Sequence, residues 1–151
     1  MSKIGIVYPA VIDKIIELFP NKARMHNPYE LLENPEICRK NAWGLRVESA
    51  SREDLEFCDI SISRTFTIVF VRQFVTLANK EDGFDAITVS MLEDQQTFLE
   101  SFFSTDKIGQ GDNIERIDIE SISGVNELTG DEKKYLFSEI TFNILINEAI
   151  S

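Results

Sequence analysis

A chain of 151 residues, 43% hydrophobic and 27% charged, is long enough to bury one core without disulfide or metal staples. Its net charge of −11 and isoelectric point near 4.5 argue against a protein that grips DNA or an anionic membrane by neutralising phosphates. Cys38 and Cys58 form no CxxC pair, and beside a single histidine they read as free thiols in a reducing compartment.

The first residues carry no signal-peptide cleavage site, and no uncharged window reaches the ~20 residues that span a bilayer, so the chain reads as a cytosolic product. Tyr8, Val11, Ile12, Ile15, Leu18 and Phe19 recur at helical spacing opposite Asp13, Lys14 and Glu17. That spacing predicts an amphipathic helix over 7–19, with Pro9 in its first turn and Pro20 closing it. Three of the four prolines then fall between residues 20 and 41, where Asn27-Pro28 and Asn34-Pro35 mark turns. Tyr29, Leu31 and Leu32 make this loop apolar enough to lie against the domain or a neighbour.

Residues 42–50 alternate Trp43, Leu45 and Val47 with Gly44, Arg46 and Glu48, the pattern of a half-buried strand. A polar connection over 51–57 leads to the dominant stretch, a strand over 59–76. Its even positions, from Ile60 through Arg64, Phe66, Ile68, Phe70 and Arg72 to Phe74, make one bulky face; Ser61, Ser63, Thr65 and Thr67 begin a small hydroxylated one. At ~3.3 Å per residue this strand is much longer than most and is expected to bend or to project past its own domain. A turn at Asn79–Gly83 precedes a second helix over 84–103, with Phe84, Ile87, Met91, Leu92, Phe98, Leu99 and Phe102 on its broad apolar side. A loop from Ser104, a short strand over 114–120, another loop over 123–131 and a last strand over 135–146 complete the chain. The resulting expectation is an α+β fold in a single domain over 1–151, in the order α-β-β-α-β-β. Two helices would pack on one face of a mainly antiparallel four-stranded sheet.

Catalytic chemistry finds little support in the residues. His26 has no second ligand at zinc-like spacing, and Gly109-Gln110-Gly111 follows a helix rather than opening one. Glu93 and Asp94 are adjacent on a helix and point apart, so they cannot converge as acid and base. Neither a metal nor a cofactor is expected, and the chain does not read as an enzyme. Arg64 and Arg72 are more telling, because a guanidinium among phenylalanines is costly to bury unpaired. Each either snorkels at a core edge or meets carboxylates of a second subunit.

The run NPYELLENP at 27–35, NAWGLRVESA at 41–50 and the strand ending in VFVRQFV resemble the tail terminator, or tail completion, proteins of long-tailed bacteriophages. The resemblance implies a structural virion protein, located in the tail and made in the host cytoplasm. Six copies would close into a ring on the tail tube, stop its polymerisation and offer a docking surface to the head connector. Its partners would be further copies of itself, the tube protein and the connector; an acidic lumen would let DNA pass without specific binding. No active-site residue can be carried over. The candidate subunit or tube interface comprises Trp43, Arg46, Arg64, Phe70, Arg72 and Phe74. Alternative readings are another head–tail connector component, or a small cytosolic α+β protein-binding module without catalysis.

Overall fold

The computed structural model describes residues 2–30, 41–56, 59–74, 81–103, 106–129 and 134–149. They form two helices, α1 (Lys3–Leu18) and α2 (Glu81–Phe103), and six strands. The strands are β1 (Ala23–Arg24), β2 (Asn41–Glu56), β3 (Asp59–Phe74), β4 (Arg116–Ile122), β5 (Asn126–Thr129) and β6 (Lys134–Ala149). The sheet runs in the order β1-β2-β3-β6-β4, with β5 also on β6; every pairing is antiparallel except the two-residue β1–β2 bridge. The α+β class holds, but the sheet has six strands rather than four, because β1 and β5 are too short to show a period in the sequence. No helix among the described residues is long and apolar enough to cross a membrane.

Three strands, β2, β3 and β6, are each 16 residues long. The polar run Ser51–Glu56, expected as a connection, continues β2 because β3 offers it a ladder partner nearly to the turn. Pairing of β3 with β6 runs unbroken from Asp59↔Ala149 to Phe74↔Lys134. The long strand therefore does not project alone; it is the centre of the sheet, with a neighbour on each side. Its last two expected residues, 75 and 76, lie outside the described residues.

Helix α1 begins at Lys3, one turn earlier than the spacing indicated, with the Ser2 hydroxyl accepting from the Gly5 N–H. Pro9 thus sits inside the helix, where it removes the bond to the Gly5 carbonyl; both residues are on the exposed side, so the freed carbonyl is not buried. The buried stripe is Val7, Val11, Ile12 and Ile15, followed by Phe19. Helix α2 contributes Met91, Phe98 and Phe102. Both helices cover the same face of the sheet: Phe19 meets Phe70 edge-on at 5.1 Å, and Phe98 lies 6.2 Å from Phe70 and 5.7 Å from Phe142. Leu92, expected on the apolar side of α2, is half exposed instead, since the helix lies over β3 and β6 and turns that flank outward.

The opposite face of the sheet is divided. At one end Met25, Ala42, Val69, Val71, Tyr135 and Phe137 make a second, smaller cluster. Pro28 packs onto it above Gly44, where an added Cβ would lie 2.7 Å from the Pro28 Cβ. Gly44→Ala should therefore cost about 1–3 kcal/mol, by forcing the Pro28 turn off the sheet. Chemical denaturation measures this, and an unchanged midpoint would show that the turn gives way freely. Further along, the hydroxylated positions pair across the ladder: the Thr65 hydroxyl donates to Asn143 Oδ1 at 2.6 Å, Thr67 and Thr141 hydroxyls lie 3.0 Å apart, and Asn147 Nδ2 donates to Ser61 at 3.2 Å.

Candidate functional site

Trp43 and Phe70, expected at a subunit surface, are buried inside this chain and leave nothing for a neighbour to touch. They face one another across the β2–β3 register, and α1 and α2 close over that face, so the apparent surplus of aromatic surface is used internally. The guanidinium of Arg24, on β1, stands 5.6 Å from the Trp43 ring and covers its remaining side.

Arg72 also finds its carboxylate at home. Its Nη2 lies 3.3 Å from Asp94 Oδ2 of α2, the same oxygen that Lys22 Nζ approaches at 2.8 Å. Lys22 donates in addition to Asn41 Oδ1 and stands over the Phe19 and Phe70 rings, at 5.9 and 5.8 Å. Its side chain is 4% exposed and that of Asp94 14%. Burial holds the Lys22 ammonium below the ordinary lysine value; Asp94 draws it back up, and Arg72 opposes that. This node ties the end of α1 to β2, β3 and α2. Local reading missed it because 72 residues separate Lys22 from Asp94. The spacing of Asp94 four residues before Phe98, on the buried side of α2, was the one available signal.

Arg46 is engaged on the other face, where it pairs with Glu48 at 2.9 Å and with Glu139 of β6. Arg64 is half-buried on β3, at the level of Ala50 and Ile144. Phe74 ends β3, and its side chain lies outside the described residues, as do Cys38 and Cys58. The six candidates therefore do not converge on one surface: two are core, two are held in ion pairs of this chain, and Arg64 alone stands near an open edge.

That edge is the outer half of β2. β1 pairs only with Ala42 and Trp43, after which Ser49, Ala50, Ser51 and Arg52 are exposed, and among the described residues no strand covers their outer side. Tyr29, from the NPYELLENP run, is exposed and accepts a hydrogen bond from the Val47 N–H at 2.9 Å. A side chain thus caps one outward donor that a further strand would otherwise use.

Among the described residues no group of three or more His, Cys, Asp or Glu side chains could hold a metal ion, and His26 is an exposed loop residue. Gly109–Asn113 lines an open hollow of about 280 Å³. The N–H groups of Asn113 and Ile114 both donate to the Gln110 carbonyl, so this loop spends its donors on itself rather than presenting them to a phosphate.

The second open edge is β4. Gln95 Nε2 of α2 donates to the Ser123 carbonyl at 3.0 Å, which sets the outward flank of the helix beside the end of this strand. Ser123 in turn exchanges bonds with Glu139: its N–H donates to the Glu139 carbonyl at 2.8 Å, and its hydroxyl accepts from the Glu139 N–H at 2.7 Å. No known protein-family model matches the chain, and neither does any curated protein sequence.

Proposed function

We propose that this chain is a structural assembly protein that closes into a ring on the end of a phage tail tube, halts its growth and receives the head. The observation that carries the proposal is the outer half of β2, a strand edge that no other strand among the described residues covers and that continues well past the residues paired with β1. Such an edge adds onto a neighbour's backbone, and head-to-tail contacts of this kind close into rings when the rotation per copy fits. Arg64, level with Ala50 of that edge, is the candidate cation for a carboxylate of the next copy. Tyr29 and Val47, both exposed, supply apolar area beside it.

The test is a phage from which the coding sequence has been removed. It should yield tails of irregular length and heads without tails; tails of normal length joined to heads would overturn the reading. On the purified chain, native mass spectrometry should detect hexamers. Arg64→Glu should raise the concentration at which they form tenfold or more, with little change in thermal stability. A loss of folding with no change in association would return Arg64 to the core.

A further inference from the structure

The charge of the chain is unevenly distributed. Residues 81–129, which include α2 and β4, hold twelve of the 26 acidic side chains and two of the 15 basic ones, a net charge of −10 out of −11. The 23 residues of α2 include no lysine or arginine. The same side of the molecule carries apolar surface without cover. Ile117, Ile119 and Ile122 of β4 pair with Ile144, Phe142 and Ile140 and so share the core-facing side of the sheet, yet Ile119 is 44% exposed and Ile122 47%. The cause is the position of α2, whose aromatic contacts are with β3 and β6; of the three isoleucines Ile117 packs against the core cluster, while Ile119 and Ile122 do not. Leu92, 49% exposed, lies three residues before Gln95, which fastens α2 to Ser123.

We propose that this side receives a basic segment of another protein as an added strand along β4, with its apolar side chains over Ile119 and Ile122 and its lysines or arginines on the opposite side. The pattern follows from the register. Asp118, level with Asn143, faces away from the core, where Arg116 of the same strand pairs with it. Glu120 is the extra residue at the register shift before Ser121, so an added strand meets isoleucines on one face and, on the other, two exposed carboxylates of which Arg116 engages one. A second copy of this chain is a poor occupant: residues 1–80 and 130–151 sum to a charge of −1 and supply no basic stretch to match. Nucleic acid is repelled. Main-chain bonds to the open edge provide affinity, and the alternation of apolar and basic residues provides selectivity. The inference does not rest on ring formation, for which the outer half of β2 is the edge invoked.

The probe is a fluorescent ten-residue peptide alternating valine with lysine, compared with the same peptide carrying glutamate for lysine, on the full chain by anisotropy. The lysine peptide should bind at least tenfold more tightly, weaken as salt is raised, and slow amide exchange across 116–122. Asp118→Lys with Glu120→Lys should remove that preference, and Ile122→Lys should weaken binding tenfold or more; each variant is checked for an unchanged melt. The proposal is overturned by equal or absent binding of the two peptides, by protection elsewhere than β4, or by a dimer of the chain that the β4 variants abolish.

Discussion

Replacing Asp94 with asparagine should destabilise the fold by about 3–5 kcal/mol, a large part of what a domain of this size has in total. The substitution keeps the shape of the side chain and removes the carboxylate that, among the described residues, Lys22 and Arg72 share. Lys22 is then left as an ammonium that is 4% exposed, beside a guanidinium of like sign. The effect depends on pH in a definite direction. Burial lowers the native value of Lys22 beneath its ordinary 10.5, so the unfolded chain holds this proton to a higher pH than the native one does. Stability from this group therefore rises with pH across that window and is lowest beneath the native value. Without Asp94 the native value falls further and the window widens downward. Denaturant titrations of the parent and of Asp94→Asn should show the largest gap near neutral pH and a smaller one near pH 10. A gap under about 1 kcal/mol at neutral pH would mean that the ammonium reaches water and that the node contributes little.

The second large effect belongs to Phe142. Its ring is fully buried and lies 5.7 Å from Phe66, 5.7 Å from Phe98 and 5.3 Å from Phe102, so it joins the central strands to α2. Phe142→Ala should cost about 3–5 kcal/mol, because the surrounding rings cannot collapse into the space without leaving their rotamers. Phe142→Leu, which keeps more of the volume, should lose less than half as much. Urea titrations with unchanged slopes measure both, and equal losses for the two variants would show that the cavity is not what decides.

Much of this arrangement was legible before any coordinates, for reasons that differ between elements. The period of two over β3 is strong because both of its faces are used, one aromatic and one hydroxylated, and the observed start at Asp59 is the expected one. The buried stripe of α1 is equally plain, although Pro9 misled the reading of where that helix begins. The outer half of β2 was hidden because Ser51–Glu56 is polar on both sides and is held in line by backbone bonds to β3, which no local pattern reports. The placing of Trp43 and Phe70 at a surface failed in a related way. Alternation correctly placed Trp43, Phe70 and Arg72 on one face, but a single strand cannot reveal that two helices and an aspartate from α2 already occupy it. What covers a face depends on elements distant in sequence, so the exposed flank of α2 and the uncovered isoleucines of β4 were equally out of reach.

The pairing of β3 with β6 also orders events as the polypeptide emerges from the ribosome. Hairpin β2–β3 can zip up early, since its strands adjoin in sequence, but the other rim of β3 must wait for residues 134–149. Through that interval Phe66, Ile68 and Phe70 lie in a ribbon whose second partner has yet to be made. A nascent chain halted before residue 134 therefore displays a sticky, unsatisfied border, and chaperones would be expected to engage it there.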